Sequence, residues 1–330
     1  MAMSSNEKLM KNVIEILESR GKKAVERSKQ YVLEKKIEYE PLNDAIKYFV
    51  NEFWFDVLHP ALISIACESV GGNPDDTINV GAAVVLLAGG ADIHDDIIDQ
   101  STIKEPMPTV FGKFGQDIAI LSGDILLTKG LYLLHEACEN LSKARRQEVL
   151  DSVLKAFYEI CSGEAKEVSF RGKLDIPKNT YLDIIRQKVA AAEATTRIGA
   201  IIGGGSIKDI DVLSHYGRTY GVLLALRDEF IDVYETDEIT NRVKKECLPL
   251  PILLALQDKS RRPLILELLE KEMTEKTIET LVNSSIDFEE TRVLVGEMTQ
   301  IVENELANIG KIKYCNSTLE LLLRSTIEDL

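Results

Sequence analysis

Three aspartates, Asp95, Asp96 and Asp99, crowd into five residues at the end of an apolar run, "INVGAAVVLLAGGADIHDDIID". Far downstream, Asp228, Glu229 and Asp232 repeat the same offsets in "LLALRDEFIDVYETDE". On a helix, residues i and i+4 share a face, so Asp95 repels Asp99 and Asp228 repels Asp232. Both clusters close a helix, at the end where the dipole disfavours anions. A divalent cation between the carboxylates would restore the balance. Hard oxygen ligands suit magnesium, which keeps several waters and shares phosphate oxygens with a substrate. Two such clusters on facing helices would hold several magnesium ions, grip a diphosphate and draw charge from the bond being broken. The alternative is a pair of solvated acidic helix ends. Identical spacing at the end of two long apolar helices favours the metal cage.

The elements that must position these clusters are helical. Helical periodicity dominates and no alternating strand pattern competes with it. Helices are predicted over residues 7–38, 40–72 with a bend near Pro60, 73–99, 115–141, 143–170, 180–204 and 209–235, with shorter ones after Leu248. A loop holding Pro106 and Pro108 follows the first cluster. Gly203 to Gly205 read as a helix stop, since no strand precedes them to make a phosphate loop. No linker tract, composition shift or repeat divides the chain, which predicts one all-α domain over residues 1–330. Small-residue helices between the clusters would enclose a pocket for a long apolar substrate.

Composition narrows the function. There are 39 basic and 54 acidic residues, a formal charge of −15. That argues against nucleic-acid binding, which needs a basic stripe, so an anionic substrate needs metal ions or a local basic cluster. The 5 cysteines are widely spaced, without metal or redox spacing, and read as reduced core thiols of a cytoplasmic protein. The polar, amphipathic N-terminus has no signal-peptide core. The apolar stretch over residues 78–93 is too short and glycine-rich for a membrane span and reads as a buried helix.

The motifs resemble the trans-isoprenyl diphosphate synthases, the relatives of farnesyl and geranylgeranyl diphosphate synthase. "DDIID" matches that family's first aspartate-rich motif and "RDEFID" is close to its second, with Glu229 in place of the second aspartate. "PTVFGKFGQDIAILSGDILL", "GEAKE", "YLDIIRQKVAA" and "ECLPLPILLAL" follow in the family's order over residues 60–256. The resemblance implies a single-domain helical bundle of the isoprenoid synthase type around a central apolar cavity, working as a homodimer. Magnesium on Asp95, Asp96, Asp99, Asp228 and Asp232 would grip an allylic isoprenyl diphosphate, with Asp95, Asp99, Asp228 and Lys188 carrying the catalytic role. Lys104, Lys188 and Lys245 would bind its diphosphate, although Val189 stands where the family has threonine after the lysine. Lys244 and Lys245 also fit a plain exposed pair. Gly90 and Ala91 would leave room in the chain-length pocket; close helix packing explains small residues there equally well.

The departures gather at one place. The family holds the diphosphate of isopentenyl diphosphate with a small basic set. By alignment on Pro60, Asp56, Val57 and His59 replace a lysine and two arginines, Ala88 replaces a histidine, and Ala225 a glutamine. Lys104 and Glu105 stand for an arginine pair. Lys104 keeps a charge without the bidentate fork. Asp56 and Glu105 would repel a second diphosphate, at roughly 4 kcal/mol per contact before screening. Three functions follow: a prenyltransferase using isopentenyl diphosphate or another acceptor, a terpene cyclase-like enzyme needing one diphosphate, and a non-catalytic subunit. Asp232 and Thr236 occupy positions where cyclases carry serine and glutamate. A purely structural subunit has no use for two acidic clusters.

Overall fold

An apolar helix that is hydrophobic on every face has to be enclosed on every face. That requirement organises the fold around helix α4. The computed structural model describes residues 5–54, 56–104, 106–314 and 316–328. The helices are α1 (Ser5–Leu33), α2 (Glu40–Tyr48), α3 (Leu58–Ser69), α4 (Ile78–Ile98), α5 (Val110–Phe114), α6 (Gln116–Ala137), α7 (Lys143–Phe170) and α8 (Lys178–Lys188). They continue through α9 (Ala190–Ile202), α10 (Ile207–Ile231), α11 (Thr236–Lys245), α12 (Leu250–Gln257), α13 (Arg262–Leu269), α14 (Glu275–Ser285), α15 (Glu289–Ile309) and α16 (Asn316–Ser325). α4 packs against α1, α3 and α6, and α9 packs against α3, α7 and α10. One contiguous core runs from Val13 on α1 to Leu323 on α16. The all-α architecture expected from periodicity is the one observed.

Two predicted helices are each two helices. The segment 40–72 breaks before Pro60 rather than bending at it. α2 gives way to a π-turn over Phe49–Phe53, Trp54 is extended, and α3 starts at Leu58. The Asp56 carboxylate accepts from the His59 backbone N–H at 3.2 Å, which caps the new N-terminus. Pro60 then falls in the first turn, where its missing N–H costs nothing. The segment 180–204 breaks at Val189, whose φ of −88° and ψ of 15° end α8 one residue after Lys188. The lysine therefore sits at the negative end of a helix dipole.

The loop after the first acidic cluster holds a small antiparallel ribbon that alternation could not reveal. β1 (Ile103–Lys104) pairs with β2 (Met107–Pro108), and two residues per strand carry no period. Glu105 lies outside the described residues, as does Cys315. Of the other cysteines, Cys67, Cys138 and Cys247 are buried, whereas Cys161 is exposed rather than a core thiol. Gly203 caps α9 and Gly204 follows with φ of 84°, so the glycine run is the helix stop that was expected. By length and composition alone, Pro74–Ile98 and α6 could each cross a membrane. The apolar window of the first is 67% buried within the protein and that of α6 is 39% buried. The first is thus the core helix, and α6 lies at its outer side.

Close packing between helix backbones is the second constraint. A Cβ at Gly199 on α9 would run into the Ile63 carbonyl of α3 and stand 2.9 Å from the Ala66 Cβ. In an exposed helix interior, Gly→Ala stabilises by about 1 kcal/mol. Here the backbones would have to separate, so Gly199→Ala should instead lower stability by about 1–3 kcal/mol. Denaturant melts of the two proteins check the sign.

Candidate active site

The last two turns of α4 carry Asp92, Asp95, Asp96 and Asp99, and the two faces of the helix send them to different places. Asp95 and Asp99 meet Glu164 of α7, with one carboxylate oxygen from each within 4.8 Å of the others. An octahedral magnesium site, with oxygens about 2.1 Å from the ion, spaces its ligands by about 3 to 4 Å. The three groups therefore fit magnesium after a small closure. Burial pushes Asp95 up to about 6, with Asp99 adding to it and Lys188 opposing. Burial also raises Asp99, with Glu164 adding, and raises Glu164 against the pull of Lys188. Anions held this close in a partly dry site favour a cation, which is the chemistry of a metal centre.

Asp96 points away from this triad. Its side chain is almost wholly buried and pairs with Lys104 of β1 at 2.9 Å; the same ammonium reaches Asp92 at 2.7 Å. Burial pushes Asp96 up to about 7 despite Lys104. Burial works against the Lys104 charge, but Asp92 and Asp96 outweigh it and hold the ammonium strongly protonated. The sequence assigns Asp96 to metal and Lys104 to diphosphate; in the fold the two face each other as an ion pair.

Basic side chains surround the triad. Lys188 bonds Glu164 at 3.0 Å and Glu167 at closer range. Arg171, just past the end of α7, pairs with Asp99 and donates to the Ile98 carbonyl at 3.0 Å. Lys245, at the end of α11, donates to the Gln100 carbonyl at 3.0 Å. Gln100 has φ of 55°, so the chain leaves α4 in a left-handed turn. The cations thus both neutralise carboxylates and cap the carbonyls at the negative end of α4.

The second cluster divides in the same way. Glu229 is buried and accepts from Tyr181 Oη at 2.8 Å, Arg242 Nη2 at 2.8 Å and the Leu250 backbone N–H at 2.7 Å. It ties α10 to α8, α11 and α12. Burial pushes Asp228 up to about 6 against Arg227, and Asp232 up to about 7 against Arg242, which lies 3.4 Å away. Neither Asp228 nor Asp232 belongs to the Asp95–Asp99–Glu164 group. Glu246, at the end of α11, is pushed up to about 7 by burial and by Asp99, which brings this region to the rim of the triad.

Below the triad lies an apolar cavity of about 830 Å³, within the range of about 300–1,000 Å³ found for small-molecule sites. Asp92, Asp95, Glu164 and Lys188 line its polar part; Leu127, Phe157, Ile160, Val168 and Ile198 are among its apolar walls. Ala91 lines it, but Gly90 does not. A Cβ on Gly90 would stand 2.9 Å from the Gly123 carbonyl and 2.8 Å from Leu127 Cγ, so that glycine serves the contact of α4 with α6. Of the two residues assigned to the chain-length pocket, packing explains one.

At the positions where the sequence reading looks for a second-diphosphate set, Asp56 and His59 pair with each other. His59 Nδ1 lies 2.8 Å from Asp56 Oδ2. Burial of Asp56 opposes its charge, yet His59 holds it below the usual carboxylate range; His59 in turn is raised by Asp56 in spite of burial. The repulsion attributed to Asp56 is therefore largely cancelled by its own histidine. Sequence reasoning missed Glu164, Glu167, Arg171 and Asp92 as site residues. Asp92 and Glu164 were legible: Asp92 precedes Asp95 by one turn, and "GEAKE" spaces its two acids by one turn on a predicted helix. Arg171 sat in a segment read only as a turn.

Asp95→Ala and Glu164→Gln should each abolish the binding of Mg2+ in the presence of inorganic diphosphate, measured by titration calorimetry; unchanged affinity would remove the triad from the metal site. The carboxylates also set a pH dependence. Unfolded carboxylates titrate near about 4, whereas Asp95, Asp96, Asp232 and Glu246 titrate at about 6 to 7 in the fold. A raised folded value stabilises below the unfolded value and is lost as pH climbs through the folded one. The metal-free protein in chelator should therefore melt higher at pH 5.5 than at pH 8, and a flat or opposite trend would contradict these shifts.

A family model described as polyprenyl synthetase matches residues 57–284, more than half of the chain. The chain is 36% identical over 183 residues to a short chain isoprenyl diphosphate synthase of Methanothermobacter thermautotrophicus, covering 55% of each. It is 33% identical over 175 residues to a geranylgeranyl diphosphate synthase of Sulfolobus acidocaldarius, covering 53% of each. The chain thus spans a little over half the length of the curated relatives it matches. In fold it superposes on a geranylgeranyl pyrophosphate synthetase from Pyrococcus horikoshii with a TM-score of 0.85, at 21% identity over 97% of this chain and 99% of that one. The matched segment contains the triad, both aspartate clusters and the cations that neutralise them, and on that match the chain belongs to the polyprenyl synthetase family.

Proposed function

We propose that the protein is a magnesium-dependent prenyltransferase of isoprenoid biosynthesis that ionises an allylic isoprenyl diphosphate and transfers the prenyl group. The observation that carries this reading is the convergence of Asp95, Asp99 and Glu164 at the mouth of an apolar cavity that Lys188 also lines. Magnesium, when bound, would neutralise diphosphate oxygens and stabilise the leaving group. The chain's own residues do the rest. Asp95, Asp99 and Glu164 would hold the metal, with Asp228 and Asp232 offering further carboxylates. Lys188, Arg171 and Lys245 would turn from internal partners to diphosphate oxygens. The apolar cavity would take the hydrocarbon chain and keep water from the cation formed on ionisation.

The acceptor is proposed to be something other than isopentenyl diphosphate. At Asp56, Val57 and His59, where its site is expected, no lysine or arginine stands, and Asp56 is already paired with His59. A second diphosphate would have to break that pair and meet the freed carboxylate. A one-diphosphate cyclase shares this feature and is the second reading. We further propose that the whole chain works as one cytoplasmic unit and pairs as a homodimer. Leu121, Leu131 and Tyr132 on α6, exposed with Leu154 and Tyr158 on α7, support the pairing.

The test is incubation with Mg2+ and geranylgeranyl or farnesyl diphosphate, with and without isopentenyl diphosphate. Release of diphosphate without isopentenyl diphosphate is expected, and Asp95→Ala should slow it by about 10²- to 10³-fold or more. Turnover only by elongation with isopentenyl diphosphate would sink the altered-acceptor reading. A cyclised hydrocarbon would establish the cyclase, and no turnover, even with cell extract as acceptor source, a non-catalytic subunit.

A further inference from the structure

We propose that His59, oriented by Asp56, takes up the proton from a neutral, hydroxyl-bearing acceptor as that acceptor attacks the allylic carbon. The inference rests on the prenyl-transfer reading and adds to it the class of acceptor and the residue that serves it. His59 stands in the first turn of α3 and lines the same cavity as Asp95 and Lys188. Its Nδ1 is engaged by Asp56 Oδ2 at 2.8 Å, and its backbone N–H by Asp56 Oδ1 at 3.2 Å. One carboxylate thereby holds the residue at two points, the ring nitrogen and the backbone N–H. Nε2 makes no hydrogen bond to any described residue and is the edge left open for what enters the cavity. A carboxylate on Nδ1–H fixes the tautomer of the neutral ring, and in that form the other nitrogen is a proton acceptor. Asp56 raises His59, so the ring acts as acceptor at pH above that raised value.

The surroundings select against an anionic acceptor. The charged groups lining the cavity with His59 are Asp92 and Asp95 from α4, Glu164 from α7 and Lys188 from α8. Lys188 is already paired with Glu164 and Glu167, and Lys104 beside them with Asp92 and Asp96. A phosphorylated acceptor would be repelled by these carboxylates, whereas a neutral alcohol would not. The step balances as follows. The C1–O bond of the allylic diphosphate breaks and its electron pair leaves with the diphosphate. A lone pair on the acceptor oxygen forms the new C1–O bond, which leaves that oxygen as a protonated oxonium. The oxonium would revert by losing the prenyl cation unless its proton is removed. His59 Nε2 takes it, the resulting imidazolium is stabilised by Asp56, and the proton then passes to solvent.

The test uses the full chain with Mg2+, geranylgeranyl diphosphate and ethanol or butanol as the hydroxyl probe. The quantity read is prenyl ether formed per diphosphate released, which separates trapping from ionisation. His59→Ala should lower that ratio at least ~10-fold, within the scale of general base catalysis, and added imidazole should restore it. Asp56→Asn should lower it in the same direction. The protein has only 4 histidines, so ¹⁵N-histidine NMR can check orientation without turnover. His59 should show one fixed tautomer in its neutral form and a raised titration, and Asp56→Asn should loosen the first and lower the second. An unchanged ratio, or a lost ratio that imidazole fails to restore in a variant that melts like the wild type, overturns the assignment. So does a His59→Ala phenotype confined to a raised KM for isopentenyl diphosphate, which would make His59 a diphosphate ligand. Failure of the wild type to release any diphosphate would sink the prenyl-transfer reading and this assignment with it.

Discussion

Four carboxylates at the buried end of an apolar helix are the condition to which the rest of the site answers. α4 must be enclosed because it is hydrophobic all round, and enclosure carries Asp92, Asp95, Asp96 and Asp99 partly out of water. Desolvation disfavours each charge, and neighbours of like sign add to the cost. The fold answers with cations from separate elements: Lys104 from β1, Arg171 from just past α7, Lys188 from the end of α8 and Lys245 from the end of α11. Each comes from a place where regular structure stops. The interruptions are thus where charge reaches the otherwise apolar centre.

That arrangement explains what the sequence disclosed and what it withheld. The i, i+4 aspartates, the all-α architecture and the stop at Gly203 were legible because they depend on local spacing and backbone preference. The breaks at residues 49–57 and at Val189 were not. One is set by the Asp56 cap on α3, and "KVAAAEA" carries no local signal for the other. Ala91 and Gly90 are adjacent and alike in size, yet one lines a cavity and the other touches the Gly123 carbonyl. Only the partner helix distinguishes them. Glu164 was visible as half of a one-turn acidic pair, but its convergence on Asp95 required the placement of α7 against α4.

Charge read one residue at a time also misleads. In sequence, Asp56 and Lys104 count as one repulsive and one attractive group for a diphosphate. In the fold they are members of neutralised pairs, and the worth of either to a ligand is the difference between the new contact and the one given up. The same accounting applies to Glu229. It looks like a conservative replacement of an aspartate ligand, but it is the buried anchor for Tyr181, Arg242 and Leu250. A metal-ligand pattern and a structural network thus share one short sequence.

The contact at Gly90 has a mechanical consequence. α4 and α6 approach so closely there that no methyl group separates them, and side chains cannot cushion a shift. Interiors packed to this density resist small deformations. The cavity wall that these helices form is therefore stiff, and the opposite wall is built differently. α7 and α9 meet the cavity through Phe157, Ile160, Val168 and Ile198, but also through Ala156 and Ala194, and a polar cleft of about 380 Å³ is bordered by the same two alanines. At those two positions the wall between the apolar cavity and the polar cleft is one small side chain thick, so that side is the easier one to deform.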